Sequence, residues 1–164
     1  MNTATVVSIH IASAPATPAA AAGEVRAVAG RGLEGDRYFN RDGTFSKGDG
    51  PDREVTLIEI ESVEALDGGV LSATGDTGGI KLAAADTRRN IATSGVPLNH
   101  LVDKEFWVGS VLMRGTRLCE PCKHLDELTQ PGVMGGLIHR GGLRARILTE
   151  GVIRPGDIVQ PKTS

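Results

Sequence analysis

Two cysteines stand three positions apart in a segment whose other residues support thiol chemistry. The segment reads RLCEPCKHL over residues 117–125 and contains Cys119 and Cys122. Pro121 suits the first turn of a helix, because proline has no N–H group to leave unpaired there. Cys122 would then lie near a helix N-terminus, where the helix dipole and the following lysine and histidine favour a thiolate. Since thiolates attack sulfur and bind soft metals, Cys122 is the leading candidate for a reactive residue and a metal ligand.

The same cysteine pair allows three other interpretations. Both side chains can be small buried hydrophobes without any chemistry. Cys-x-Pro-Cys between a strand and a helix is also the pattern of thiol-disulfide exchange, although too little chain follows here to complete a βαβ architecture. The third interpretation is a zinc site, for which the four candidate ligands are Cys119, Cys122, His124 and His139. A structural zinc site normally uses two well-separated ligand pairs. The close spacing of Cys122 and His124 therefore disfavours a tetrahedral site.

A second candidate for ligand binding is residues 87–93, which read TRRNIAT. If this segment is extended, Arg88 and Asn90 lie on one face and Arg89 on the other. Arginine binds phosphate or carboxylate through a two-pronged hydrogen-bonded fork, and asparagine or threonine can hold the edge of a heterocycle. The opposing interpretation is that both arginines are solvated or paired with Asp86, as most surface charges are.

Two glycine-rich segments are candidates for loops that approach a ligand closely. Residues 32–37 read GLEGDR, and residues 135–142 read GGLIHRGG with His139 and Arg140 as cationic candidates. Glycine lets the backbone adopt positive φ and approach a ligand, but ordinary surface turns have the same composition. The loops alone therefore do not identify a site.

Charge and hydropathy exclude several classes of protein. The net charge of −2 argues against bulk electrostatic binding to nucleic acid or to anionic membranes. No run approaches the ~20 apolar residues that span a bilayer. The Ala-rich start lacks the basic region of a signal peptide, so the expected location is the cytoplasm.

Composition and patterning predict a mainly β protein. Aromatic residues make up 3% of the chain, and 22 glycines and 8 prolines imply frequent turns. Short strands at close intervals favour a barrel-like α+β domain with a few short helices over a doubly wound sheet. The predicted strands are 5–12 (with Val7, Ile9 and Ile11 on one face), 24–29, 54–59, 87–93, a hairpin of 107–112 with 114–118, 143–149 and 152–159. The predicted helices are 62–71, 97–102 and 122–129, and the predicted loops are 13–23 (flexible and rich in Ala and Pro), 30–53 and 132–142.

Taken in order, these segments resemble the MOSC family, the molybdenum cofactor sulfurase C-terminal domains. The matching pieces are GLEGDR, EVTLIEIESVEAL, TRRNIATSGV, FWVGSVLMRGTRLCEPCKHL and GGLRARILTEGVIRPGDIV. They predict a single MOSC-like domain over residues 1–164 with its core at about 24–160. The resemblance implies a mixed β-barrel fold and a role in binding the molybdenum cofactor (molybdopterin) or delivering sulfur.

The resemblance also implies roles for particular residues. Cys122 occupies the position of the functional cysteine, which would ligate molybdenum. The TRRN segment and its neighbours would face the pterin phosphate, and the full set of cofactor-binding candidates is Arg88, Arg89, Asn90, Thr93, Cys119, His139 and Arg140. Family members often carry a histidine soon after the Gly-Asp pair, whereas Arg37 and Tyr38 follow it here, which puts a cofactor contact from this loop in doubt.

Three functions follow from this resemblance. The first is a molybdenum-cofactor-dependent oxidoreductase component that reduces a small N-hydroxylated substrate with electrons from a partner protein. The second is a sulfur carrier that holds a persulfide on Cys122, loaded by a pyridoxal-phosphate-dependent cysteine desulfurase. The third is a non-catalytic binding domain that uses the same barrel.

Overall fold

The computed structural model describes residues 3–14, 17–39, 54–69, 71–72, 75–76 and 79–163. Its strands are β1 (Thr5–Ile11), β2 (Ala20–Ala22), β3 (Val25–Val28), β4 (Gly32–Leu33), β5 (Val55–Glu59), β6 (Leu71–Ser72), β7 (Gly75–Asp76), β8 (Ile91–Ser94), β9 (Glu105–Val108), β10 (Val111–Leu118), β11 (Leu143–Ile147), β12 (Gly151–Ile153) and β13 (Val159–Pro161). Its helices are α1 (Ile60–Gly68), α2 (Lys123–Leu128) and α3 (Val133–Leu137), with 3₁₀ helices at Ala84–Thr87 and Leu98–Leu101.

The main sheet has the strand order β13-β9-β10-β11-β5-β8-β1-β2. Its pairs are antiparallel except for β5 and β8, which run parallel. A bridge between Thr5 and Ile158 brings β1 beside the start of β13, and the Val159 N–H donates to the Ala4 carbonyl at 2.9 Å. The sheet therefore curls back on itself, and the predicted mainly β, barrel-like fold with a few short helices is confirmed.

Three apolar clusters stabilise the part of the chain that the structure describes, and the two largest concern the site. The larger fills the inside of the curled sheet with fully buried aliphatic side chains and Phe106. The smaller lies beneath the helices and joins α1 to α2 and α3 through Leu66, Leu125, Val133 and Leu137. Burying such side chains stabilises the fold by about 1.5–3 kcal/mol each. The smaller cluster therefore fixes α2, the helix that begins directly after Cys122.

Several predicted elements are wrong in detail. The predicted hairpin turned near Met113, but β10 is continuous through this buried residue and the turn lies at positions 109–110. Val7 does not share the buried face of Ile9, because a bulge between Val6 and Ser8 shifts the register and leaves Val7 42% exposed.

The predicted loops also contain regular structure. Ala20–Ala22 pairs with β1 inside the predicted 13–23 loop, and Val133–Leu137 is helical inside the predicted 132–142 loop. The predicted closing strand 152–159 is two strands, β12 and β13, in different sheets. Residues 40–53 of the predicted long loop lie outside the described residues. No helix in the described part of the chain is both long and apolar enough to cross a bilayer.

Candidate functional site

A cleft of about 520 Å³, including its solvent-open part, lies where the end of β10 meets the segment before β8. It brings together Cys122, Arg88 and Arg89 from the sequence-predicted candidates. Most of its charged lining residues are cationic. The lining residues are Arg37, Tyr38, Thr87, Arg88, Arg89, Glu120, Cys122, His124, Leu125, Leu128 and Arg144.

The two cysteines have different surroundings. Cys122 is exposed and has extended backbone at the N-cap position of α2, where its carbonyl accepts the Leu125 N–H at 3.0 Å. Cys119 is only 2% exposed, and both thiols are free. Cys122 is thus the thiol that a ligand or partner can reach. The helix begins at Lys123, so Pro121 precedes the N-cap and does not lie in the first turn as predicted.

Arg89 holds the segment that carries the thiol. Its Nε donates to the Gly141 carbonyl at 2.7 Å, its Nη2 to the Cys119 carbonyl at 2.9 Å and its Nη1 to the Thr87 carbonyl at 3.1 Å. A guanidinium group has five N–H donors in a rigid plane, which suits three carbonyls from different segments. Arg89 therefore ties the cleft together through its backbone contacts.

Gly141 allows this close packing. A Cβ at position 141 would lie 2.4 Å from the Cys119 carbonyl oxygen and 2.9 Å from Cδ of Pro121. Real Cβ atoms do not approach so closely, so any side chain would displace one of the two segments. The position of Cys122 thus depends on a glycine in the facing loop.

Arg88 and Arg37 both line the cleft, and the Arg37 guanidinium bonds the backbone of Arg88. Arg88 has left-handed backbone (φ 63°), and its Nη1 donates to the Thr17 carbonyl. Burial, and then the charge of Arg37, lowers the pKa of Arg88. Arg37 is 7% exposed, bonds Asp36 at 3.2 Å and donates to the Arg88 carbonyl at 3.3 Å. An anion bound in the cleft would offset the cost of this partly desolvated positive charge.

Glu120 is the acidic residue that lines the cleft. Its Oε1 accepts the His139 N–H at 2.7 Å, and its Oε2 lies 2.8 Å from Nδ1 of the same histidine. The His139 carbonyl in turn accepts a hydrogen bond from Nδ2 of Asn99 at 2.8 Å. His139 is therefore a neighbour of the cleft rather than part of its lining, and the exposed Arg140 next to it also lies outside the lining.

Asn90 and Thr93, predicted as cofactor contacts, are fully buried outside the cleft. The Asn90 amide accepts the Thr56 N–H at 3.0 Å and donates to the His10 carbonyl at 3.2 Å, and the Thr93 hydroxyl donates to the Ile58 carbonyl at 3.4 Å. The predicted alternation along residues 87–93 is wrong, because Ala84–Thr87 is a 3₁₀ helix and only Ile91–Ser94 is a strand.

Sequence reasoning left out several lining residues. Arg37 belongs to the GLEGDR segment, where the expected histidine was missing and the contact was put in doubt. Arg144 stands in the alternating strand LRARI, but the sequence has no feature that places it beside Cys122. Among the residues that the structure describes, no three His, Cys, Asp or Glu side chains are arranged to hold a metal ion, so the four-ligand zinc alternative has no support.

Comparisons with known proteins agree with this fold. The MOSC domain family model matches residues 44–160. A search of the curated proteins found no significant match.

Three solved structures have a similar fold at 15–16% sequence identity. The YuaD protein from Bacillus subtilis has a TM-score of 0.76, covering 99% of this chain and 97% of its own. YiiM from Geobacillus stearothermophilus has a TM-score of 0.71, covering 98% of this chain and 75% of its own. YiiM from Escherichia coli has a TM-score of 0.63, covering 97% of this chain and 70% of its own. Since the family model spans more than half of the sequence, the chain belongs to the MOSC domain family.

Proposed function

We propose that the cleft binds the molybdenum cofactor, with the Cys122 sulfur as the protein ligand to molybdenum and the pterin phosphate beside Arg37 and Arg88. One observation carries this proposal: an exposed free thiol and the guanidinium groups of Arg37 and Arg88 line the same cleft. A soft sulfur ligand suits molybdenum, and an arginine fork suits phosphate.

The charges of the cleft fit an anionic ligand of this kind. Arg88 and Arg144 line it beside Arg37, whose charge is paired with Asp36, and the carboxylate of Glu120 is engaged by His139. The side chains of Leu125 and Leu128 on α2 add an apolar part to the lining.

The proposed reaction is the reduction of an N-hydroxylated compound. The substrate N–O bond breaks, two electrons and two protons are taken up, and an N–H group and water are formed. The cofactor supplies the two-electron chemistry when bound, and an electron-transfer partner protein supplies the electrons. Within the chain, Cys122 holds the cofactor, Arg37 and Arg88 orient its phosphate, and Arg89 keeps the thiol segment in place.

Metal analysis tests the cofactor assignment. The wild type and the variants Cys122→Ser and Cys119→Ser are produced in a host that makes the cofactor, and molybdenum and pterin are measured per mole of protein. We expect molybdenum in the wild type and in Cys119→Ser, and its loss in Cys122→Ser. Cys119→Ser is the matched control because it removes the buried thiol. Absence of molybdenum from the wild type, or equal molybdenum in Cys122→Ser, contradicts the proposal.

A second candidate function is supported by the exposure of Cys122. A thiol at the surface can be reached by another protein, so a desulfurase persulfide could pass its outer sulfur to the Cys122 thiolate. Incubation with a cysteine desulfurase and cysteine, followed by intact mass measurement, should then show one added sulfur atom. The adduct should be absent in Cys122→Ser and present in Cys119→Ser. A wild type without the adduct contradicts the carrier function.

A further inference from the structure

A second opening lies at the far end of the β1–β8 pair from the cleft. This groove, of about 880 Å³ with its solvent-open part, shares no lining residue with the cleft. Its floor is apolar and closely packed, with Val96 5%, Leu101 5% and Val159 3% exposed. The lining residues are Ala4, Gly95, Val96, Pro97, His100, Leu101, Lys104, Glu105, Val159, Pro161 and Lys162.

The polar residues of the groove leave an excess of positive charge. Lys162 Nζ lies 3.1 Å from Oε1 of Glu105, the acidic residue in the lining. Lys104 is exposed and has no ion pair among the described residues. The groove therefore presents one uncompensated ammonium group beside an apolar floor.

Backbone hydrogen bonds hold the rim that carries Lys104. The Lys104 N–H donates to the Leu101 carbonyl at 3.0 Å, and the Gly115 N–H donates to the Lys104 carbonyl at 2.9 Å. The Asp103 N–H donates to the Gly115 carbonyl at 2.9 Å. This turn is thus fixed to β10, so little order has to be gained when a ligand binds.

The opposite wall of the groove is held in the same way. The Val159 N–H donates to the Ala4 carbonyl at 2.9 Å, and the Lys162 N–H donates to the Glu105 carbonyl at 2.9 Å. Ligand sites are commonly preformed concave openings of about 300–1,000 Å³ with apolar walls and few polar groups. Without its solvent-open part this groove has a volume of about 440 Å³ and a mainly apolar lining, so it has those properties.

We propose that the groove is a second binding site, one that takes a small amphiphile with an apolar body and a single carboxylate. The apolar body contacts Val96, Leu101 and Val159, and the carboxylate pairs with Lys104. Two features select this class: the apolar floor disfavours small inorganic anions, and the uncompensated Lys104 favours an anion over a neutral ligand. Nothing in this assignment depends on the cleft or on its cofactor.

A titration with three matched probes tests the assignment. Octanoate, octanol and acetate are added to isotope-labelled protein, and amide chemical shifts are followed by NMR. We expect saturable shifts for octanoate at groove residues, with Kd on the order of 1 mM. Octanol should bind more weakly and acetate should give no saturable shift. Equal binding of octanol, no saturation with octanoate, or octanoate shifts confined to the cleft overturns the proposal.

Variants at Lys104 test the contact itself. Lys104→Gln should weaken octanoate binding about threefold to fivefold, the size of one exposed ion pair, and Lys104→Glu should weaken it further. Octanol binding should not change in either variant. The exposed Lys81 lies outside the groove, so Lys81→Gln is the matched control and should bind like the wild type. Unchanged octanoate affinity in Lys104→Glu overturns the carboxylate contact.

Self-association is the competing use of this surface. Sedimentation velocity at the titration concentrations distinguishes it, because a groove that binds a small ligand leaves the protein monomeric. A dimer whose contact protects Val96 and Leu101 from hydrogen exchange would replace the ligand site with an interface between copies of the chain.

Discussion

The cleft and the groove lie at opposite ends of the same pair of strands, and they differ in how their charges are arranged. The cleft begins before β8 and holds its charges in a network in which Arg89, Arg37 and Glu120 each bond neighbouring groups. The groove begins after β8 and has apolar walls with exposed cations at its rim. β8 has four residues, so about 10 Å of sheet separates the two openings.

The difference in charge arrangement indicates which opening is suited to bind one particular chemical group. Buried and hydrogen-bonded charges cost free energy to desolvate, so a network of them indicates a site where charge placement matters. Rim charges over an apolar floor select a ligand by its shape first and by its charge second. The cleft is therefore the stronger candidate for chemistry, and the groove for binding alone.

Substitution of one glycine beside each opening should have the largest effect, Gly141 beside the cleft and Gly115 beside the groove. A Cβ at Gly141 would lie 2.4 Å from the Cys119 carbonyl oxygen, and a Cβ at Gly115 would lie 2.1 Å from the Leu101 carbonyl oxygen. We expect Gly141→Ala and Gly115→Ala each to lower the free energy of unfolding by about 3 kcal/mol through overpacking. Urea denaturation measures this loss.

The two variants should differ in what they do locally. Gly141→Ala should change the alkylation rate of Cys122 and leave octanoate binding intact. Gly115→Ala should change octanoate binding and leave the alkylation rate of Cys122 intact. Gly68→Ala is the control, because a Cβ on this α1 residue meets nothing within 4 Å and alanine favours a helix. If both variants change both readouts equally, the two openings are not independent.

Arg89 gives the next largest effect, and it separates positioning from ligand binding. Arg89→Lys keeps the charge but cannot donate to three carbonyls at once, so we expect a loss of about 2 kcal/mol in the free energy of unfolding. Arg146→Lys, on the exposed face of β11, should change stability little. If Arg89→Lys is as stable as the wild type, the guanidinium network does not hold the cleft together.

Sequence patterns predicted much of the sheet, because β9, β10 and β11 alternate in burial and β5 is a continuous buried apolar run. The segments around Val25, Leu57 and Leu143 were placed correctly, since each has apolar residues on the face that packs inside the curled sheet. Prediction was wrong at the bulge beside Val7, where the register shifts, and at Met113, where the alternation continues and the turn lies at positions 109–110 instead. The bulge has no signature in a single sequence, whereas the Gly109-Ser110 pair is a typical turn sequence.

The candidate site was predicted in part for a similar reason. Cys122 and Arg88 stood in short segments with recognisable chemistry, and the structure places both in one cleft. Arg88 and Arg89 could not be ranked from the sequence, because the left-handed backbone of Arg88 replaces the expected alternation. Arg37 came from a distant segment, and only tertiary packing brings it to the cleft.

Arg88 provides a smaller effect that concerns the ligand alone. Its guanidinium is proposed to bind phosphate, so Arg88→Gln should lower the pterin content of purified protein about tenfold, or about 1.4 kcal/mol in affinity. Arg146→Gln serves as the control, because this exposed arginine lies outside both openings. Equal pterin content in Arg88→Gln and wild type would remove Arg88 from the proposed phosphate site, while octanoate binding should be unaffected in either case.

The smallest expected effect is a loss of stability in mild acid that originates beside the cleft. Burial lowers the pKa of His10, although its Nδ1 lies 3.3 Å from the Arg89 carbonyl oxygen. In the unfolded chain His10 is protonated as the pH falls below about 6.5, whereas in the folded protein it stays neutral to lower pH. The stability that neutral His10 contributes is therefore lost as pH falls below that value.

The pH dependence can be assigned to His10 by difference. Burial raises the pKa of Glu59, so its contribution has the opposite sign and is lost as pH rises. Comparing His10→Gln with wild type cancels the Glu59 contribution, and urea denaturation at pH 7.5 and 5.5 should show a smaller acid loss in the variant. If His10→Gln loses as much stability between pH 7.5 and 5.5 as the wild type, the acid sensitivity does not originate at His10.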